Sequence, residues 1–355
     1  MTDDRRLRGV ILAAGFGKRM ASLTRHVPKP LLPVANLPAI ERILLALHDT
    51  GIRETLVVTG YRAEAVEAFC GDGSRWGMSI RYARQTEVTG TASATRLARD
   101  FVGDFPFVLT YGDILLEPHE YKNVVRLFFD SDSVAASALN RLEDVSIGSA
   151  VFLEGLRITR MIEKPPPGTV ATHLNNAGVY VFRPDIFESI DRTPKSARGE
   201  YELTEAVQTL LADGATVTGN VIDGVQYDIG TPEAFLTTNE QWIDRDSQHA
   251  AMPEPLTDNF ASANVIVHAP VAIDPSAQIE RCRLGPGVCI GPGVRIGHGA
   301  VLEHTVVLSG ADIGDGVSLS YAIIGFDTSV PNRFSAEGTS TLVTVLSGDD
   351  FGDPR

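Results

Sequence analysis

Gly9-Val10-Ile11-Leu12-Ala13-Ala14-Gly15-Phe16-Gly17-Lys18-Arg19-Met20 decides how this chain is read, because a short apolar run gives way at once to glycines and cations. Gly9 to Leu12 predicts a buried strand. Gly15 and Gly17 let backbone N–H groups approach an anion closely, just past a strand end where such sites form. A tight strand-to-loop turn would explain the two glycines equally well. The dinucleotide-binding fingerprint needs a further glycine at position 20, and Met20 stands there. The next segment, Pro28-Lys29-Pro30-Leu31-Leu32-Pro33-Val34, holds a lysine between prolines that fix the backbone around it. Arg19 and Lys29 are therefore candidates for neutralising a polyphosphate from two sides.

Outward from this stretch, short β-rich runs alternate with amphipathic ones. Asn36 reads as the cap of a helix with Pro38 in its first turn and Ile40, Ile43, Leu44 and Leu47 on its apolar face. Strands are expected at Thr55–Thr59, Ile80–Tyr82 and Phe107–Thr110, and helices at Ala63–Phe69 and Thr91–Leu97. Such alternation predicts a mixed, mostly parallel sheet covered on both faces, with ligands at the carboxyl ends of its strands.

Beyond Trp242 the texture changes. Ala250 to Asp258 is Pro-rich and reads as a linker. From about Val271 to Gly325 an apolar residue recurs every five or six positions, at Ile273, Ile279, Leu284, Ile290, Ile296, Leu302, Leu308, Ile313 and Leu319. Glycine follows at Gly285, Gly291, Gly297 and Gly314. That spacing suits neither a helix nor alternating strands; it is the hexapeptide pattern of a parallel β-helix. The expected division is 1–245, a linker at 246–262, the β-helix at 263–330 and a tail at 331–355.

The formal net charge is −14, which makes a poor nucleic-acid or anionic-membrane binder unless the few cations are gathered. Of the lysines, Lys18, Lys29 and Lys164 fall inside motifs and only Lys122 and Lys195 do not. Cys70, Cys282 and Cys289 lack zinc-like spacing, and no apolar run near the start is long enough to span a membrane, so a cytoplasmic setting is expected.

The first two motifs resemble the signature of the sugar-1-phosphate nucleotidylyltransferases, L-A-[AG]-G-x-G-x-R-[ML] followed by P-K-P-[LM]-[LV]-P. The resemblance extends over the first ~240 residues and implies a Rossmann-like α/β nucleotidyltransferase domain followed by a left-handed parallel β-helix. It assigns Leu12, Ala13, Ala14, Gly15, Gly17 and Gly112 to the nucleotide. Gln85-Thr86-Glu87-Val88-Thr89-Gly90-Thr91-Ala92 looks like the family's base-reading segment, with Gln85, Gly90 and Thr91 against the base. A glutamine amide can pair with the edge of a pyrimidine.

Asp113, at the end of a predicted strand, and Asp228, in Tyr227-Asp228-Ile229-Gly230-Thr231-Pro232, match the family's metal ligands. Two carboxylates with open coordination positions suit Mg²⁺. Glu163 and Lys164 of Glu163-Lys164-Pro165, Asn176 and Gly148 match residues facing the sugar phosphate. On its own, Glu163-Lys164 reads as an exposed ion pair before a proline turn. Gly199-Glu200-Tyr201-Glu202-Leu203-Thr204-Glu205 resembles a segment bordering the sugar site, with no contact assigned.

The implied reaction is attack by a sugar 1-phosphate oxygen on the α-phosphorus of a nucleoside triphosphate, with pyrophosphate leaving. Arg19, Lys29 and Asp113 are the expected catalytic residues. UTP or dTTP with a glucose-1-phosphate-like sugar is the expected pair, and GTP or CTP the alternative. Two other readings stand beside it: a bifunctional enzyme whose β-helix transfers acyl groups using His298 or His304, and an inactive regulatory homologue. The flat faces of a β-helix imply a homo-oligomer.

Overall fold

The computed structural model describes residues 6–25, 27–248 and 264–352. It divides into two compact units, Met1–Phe16 with Ala39–Tyr227, and Gly17–Pro38 with Asp228–Arg355.

The first unit is built on a nine-stranded sheet. Its strands are β1 (Arg8–Ala13), β2 (Glu54–Thr59), β3 (Ser79–Arg84), β4 (Phe107–Tyr111), β5 (Ala135–Arg141), β6 (Ser149–Glu154), β7 (Arg157–Glu163), β8 (Leu174–Phe182) and β9 (Val217–Val221). They lie in the order β3-β2-β1-β4-β8-β5-β9-β7-β6. The β3-β2-β1-β4 half is parallel throughout. Beyond it β8 runs antiparallel to both neighbours, and β7 does the same. The sheet is therefore mixed and, with β9 parallel to β5, mostly parallel as expected, since only β8 and β7 run against the other strands. Short connections such as the turn between β6 and β7 permit antiparallel pairing without a crossover helix.

The chain leaves β1 for β2 and β3 on one side, then returns to β4 on the other. The order thus reverses at β1, and the carboxyl ends of β1 to β4 frame a crevice of the kind where α/β sheets take ligands. Val10, Val58, Leu109, Phe107 and Tyr180 fill the core beneath it.

Asn36 does not cap a helix. With Ala35 it forms the left-handed corner (φ 46° and 63°) of a hairpin between Pro33–Val34 and Leu37–Pro38, and the helix begins at Ala39. Asn tolerates that conformation, and its amide is used elsewhere. It donates to the Ile290 carbonyl at 2.9 Å and accepts from Cys289 Sγ at 3.3 Å.

The second unit holds parallel ladders. Ile266 pairs with Arg283, Arg283 with Val301, Val301 with Ser318 and Ser318 with Ser335, steps of 17, 18, 17 and 17 positions. Gln278, Arg295, Asp312 and Ser329 form another ladder, in steps of 17. Nearly all the predicted repeat residues are buried; Leu284, Ile290, Ile296, Leu302 and Ile313 are each 0% exposed. The ladders do not stop at 330. Ser335–Glu337 and Thr344–Leu346 both pair with the Ser318–Ile324 strand, because Leu346 and Phe334 still supply side chains to the same core.

Helix Pro232–Gln248 packs on this unit's strands through a buried face that includes Phe235, Leu236 and Ile243. That burial is why its compact body begins before the expected boundary at 245. Of the linker expected at 246–262, residues 246–248 end this helix and the remainder lies outside the described residues. Among the described residues no helix is long and apolar enough to cross a membrane.

Candidate functional site

In the first unit the glycine-rich turn is held by its neighbours' backbones. The Gly112 amide donates to the Leu12 carbonyl at 2.8 Å, and a side chain at Gly112 would meet Leu12 O at 3.1 Å and Ala13 Cβ at 3.2 Å. Tyr61 N donates to Ala14 O at 3.2 Å. Leu12, Ala13, Ala14 and Gly112 are thus brought together at the carboxyl ends of β1 and β4. Asp113 follows Gly112 in a partly exposed turn. Around Gly15 there is open space, so close packing does not require a glycine there.

Gln85 directly follows β3 and is 7% exposed. Its Nε2 donates to the Gly90 carbonyl at 3.2 Å and to Ser93 Oγ at 3.0 Å. A cavity of about 270 Å³ opens beside it, lined among others by Phe16, Tyr61, Thr86 and Val88. Gly90 (φ 120°) has no room for a side chain, since a Cβ would lie 2.3 Å from Tyr201 O. Thr91 is the first residue of its helix, as expected, and its hydroxyl accepts from the Leu203 amide at 2.9 Å. The Gly199–Glu205 stretch, given no contact from sequence, therefore clamps the segment expected to read the base.

The residues expected on the sugar side also converge. Glu163 does not pair with Lys164. Its Oε2 accepts from Ser149 Oγ at 2.5 Å and Thr204 Oγ1 at 2.9 Å, and its Oε1 lies 3.8 Å from Arg198 Nη2. The exposed ion pair fails because Lys164 sits in a left-handed kink (φ 42°), with its amide on the Gly148 carbonyl at 2.8 Å. Gly148 faces Asn175, whose Oδ1 would lie 2.1 Å from a Cβ at that position. Asn176 is 8% exposed; its Oδ1 accepts from Ser137 Oγ at 3.2 Å and Gly178 N at 3.1 Å, leaving the amide NH₂ as the end that could meet a ligand. Burial pushes the Tyr111 and Tyr180 phenols up, and the Glu163 carboxylate pushes in the same direction.

Sequence reasoning missed Arg198, Asn175, Ser149, Thr204 and Ser93. Thr204 lies within a quoted motif and the other four directly beside a quoted residue, so proximity was the available signal. Which way their side chains turn was not.

The second unit gathers the other charged residues. Met20, fully buried, anchors the turn: its amide bonds the Gly17 carbonyl at 2.8 Å, and its own carbonyl accepts from Thr24 Oγ1 at 3.0 Å. Gly17 (φ 61°) takes the left-handed conformation. Lys29 opens a single 3₁₀ turn set by Pro28 and Pro30 and is 7% exposed, with its ammonium 3.8 Å from Asp228 Oδ1. A Cβ at Gly230 would meet Asp228 Oδ1 at 2.9 Å and Arg19 Nη2 at 3.0 Å. Arg19, Lys29 and Asp228 are thus neighbours. Among the described residues there is no cluster of three or more His, Cys, Asp or Glu side chains poised for a metal.

His304 and His298 differ. His304 Nδ1 lies 2.7 Å from Glu240 Oε1, and its ring stacks on Tyr321 at 4.5 Å. It ties the Pro232–Gln248 helix to the ladders. His298 is exposed at a turn.

The Nucleotidyl transferase family matches residues 8–245, and the GMPPB C-terminal domain matches residues 267–349. The chain is 38% identical over 238 residues to the low-salt glycan biosynthesis nucleotidyltransferase Agl11 of Haloferax volcanii, across 66% of this chain and 65% of that protein's length. It is 29% identical to a probable mannose-1-phosphate guanylyltransferase of Oryza sativa subsp. japonica, across 95% of this chain and 91% of the relative. The crystal structure of a UDP-glucose pyrophosphorylase complexed with UDP-glucose shares the fold, with a TM-score of 0.62 at 23% identity, covering 68% of this chain and 99% of the other.

Proposed function

The chain belongs to the nucleotidyl transferase family and is an enzyme of the sugar-1-phosphate nucleotidyltransferase (EC 2.7.7) type, and from that premise we propose that it makes a nucleoside diphosphate sugar from UTP or dTTP and a glucose-1-phosphate-like sugar. The observation that carries this reading is the Arg19–Lys29–Asp228 group. Lys29 is 7% exposed with its ammonium 3.8 Å from Asp228 Oδ1, and Arg19 Nη2 lies beside the same carboxylate, so two cations of a strongly acidic chain are gathered in the arrangement that suits a phosphate.

The nucleophile, a sugar phosphate oxygen, is already an anion, so no general base is required. The chain's task is alignment and neutralisation of repelling charges. Arg19 holds the departing pyrophosphate, Lys29 the α-phosphate and Lys164 the incoming sugar phosphate. Glu163, fixed by Ser149 and Thr204, accepts from sugar hydroxyls, and the Asn176 NH₂ donates to them. Asp113 and Asp228 carry the hard oxygen donors that would hold Mg²⁺. When bound, that ion neutralises charge on the transferring phosphate.

The base expected at Gln85 has the same edge in uracil and thymine: a ring N–H flanked by carbonyls. Guanine, the base handled by the rice relative on its name, presents a ring N–H beside a carbonyl as well. The match to that guanylyltransferase over nearly the whole chain supports GTP as a second reading. This proposal also takes the ladders to be a left-handed β-helix through which copies of the chain associate.

Pyrophosphate release from a panel of triphosphates and sugar 1-phosphates tests the proposal. Release with a uracil or thymine nucleotide is expected. No release from any pair, or unchanged release in both Lys29→Ala and Asp113→Ala proteins, overturns it.

A further inference from the structure

The hydroxyl of Ser93 has three neighbours and one proton. It lies 2.7 Å from the Gly90 carbonyl, 3.0 Å from Gln85 Nε2 and 2.9 Å from Thr89 Oγ1. A carbonyl oxygen can only accept, so the single proton of Ser93 goes to Gly90. Toward Gln85 the hydroxyl then presents lone pairs alone. The Gly90 carbonyl, 3.2 Å from the same end of Gln85, also presents only lone pairs. Both neighbours therefore require that end of the carboxamide to be the NH₂. Thr89 donates the remaining bond to Ser93 and closes the set. With the NH₂ turned inward, Gln85 offers Oε1, an acceptor, as its outward group.

We propose that Ser93, backed by Thr89, is a positioning residue that fixes the Gln85 amide with its oxygen outward, so that the site selects bases whose ring nitrogen carries a hydrogen. This deepens the reading that Gln85 meets the base and rests on it. At the middle of the pairing edge, uracil, thymine and guanine carry a donor N–H, whereas cytosine and adenine carry a bare acceptor nitrogen. An oxygen aligned there bonds the first group and repels the second. A glutamine free to turn over would serve both, since its two ends are nearly the same shape. Selectivity therefore lies in the two acceptors behind the amide, and the Ser93 hydroxyl, which need not touch the nucleotide, is the one that a substitution can remove. A missing hydrogen bond at a site built to make one is discriminated more strongly than a missing methylene.

The test is equilibrium binding of UTP, CTP and N3-methyl-UTP to the full chain without sugar phosphate, with pyrophosphate release measured separately. Wild type is expected to bind UTP at least tenfold tighter than either of the other two. Ser93→Ala should narrow the UTP-to-CTP ratio about five- to tenfold, the size of one lost hydrogen bond, and Ser93→Thr, which keeps the hydroxyl, should restore it. Thr89→Val should narrow it less. A purely structural role for Ser93 would weaken every nucleotide equally, and an unchanged ratio in Ser93→Ala overturns the proposal. So does equal wild-type binding of UTP and N3-methyl-UTP. Gln85→Ala separates the two levels. If it leaves the ratio intact, Gln85 does not read the base and both readings fall. If it abolishes the ratio while Ser93→Ala does not, only the lock is lost. Binding selectivity without pyrophosphate release from any sugar phosphate would leave the lock standing and remove the proposed reaction.

Discussion

The crevice end of the nine-stranded sheet and the core of the parallel ladders are both well buried, but they bury different things. Inside the ladders the filling is almost wholly aliphatic, from Leu284 through Leu319. In the first unit, Gln85, Asn140, Ser149, Asn175, Asn176 and Thr204 are buried polar groups. Each of them is tied to a named partner. A buried amide or hydroxyl costs stability unless it is bonded, so a concentration of them marks a place where stability is not the sole demand. One region is filled by apolar packing; the other is filled by polar groups bonded to one another, which suits the proposed ligand site.

The comparison breaks first at Leu302. Truncation to alanine at a side chain with 0% exposure should cost about 2–5 kcal/mol in urea unfolding. The folded fraction should keep its pyrophosphate release. A coil substitution that abolishes activity while stability is unchanged would show that the ladders carry chemistry after all.

Lys29→Ala should act in the opposite sense. It is expected to lower kcat/KM on the order of 10²-fold, the usual size of a preorganised electrostatic contact, while leaving the ladders folded by circular dichroism. His304→Ala sharpens the contrast at a lower level. Loss of its bond to Glu240 should lower stability by about 1 kcal/mol and leave nucleotidyl transfer intact. Acetyl-CoA turnover that disappears in this variant would instead revive acyl transfer by this unit.

Cys70 and Cys282 give the smallest effect, one thiol in each unit. Burial pushes both up to about 12 from the ordinary 9.0. Between those values the unfolded chain has lost protons that the folded chain keeps. Their contribution to stability is therefore full below pH 9 and lost as pH rises toward 12. Native protein at pH 8 should resist alkylation at both positions. Rapid labelling of Cys282 alone would show that the ladder core opens more readily than its aliphatic filling implies.

Much of this was legible in the residues. The strand starting at Gly9, the turn at Gly15 and Gly17, and the repeat from Ile273 to Leu319 are local patterns, and local patterns survive in a linear string. The mistaken cap at Asn36 shows the limit. Its sequence suits a helix start and a left-handed hairpin corner alike, and only the hairpin lets its amide reach Ile290 and Cys289. The Glu163–Lys164 pair failed in the same way. Adjacency favours an ion pair, whereas the fold turns Glu163 toward Ser149 and Thr204, 14 and 41 positions away.

The sequence alone settled which residue types were available and where chain direction had to change, since backbone sterics and side-chain periodicity act over a few positions. The tertiary structure alone decided which atom each polar side chain turns outward. That choice depends on partners brought near by the sheet, and a single proton on Ser93 is enough to set it.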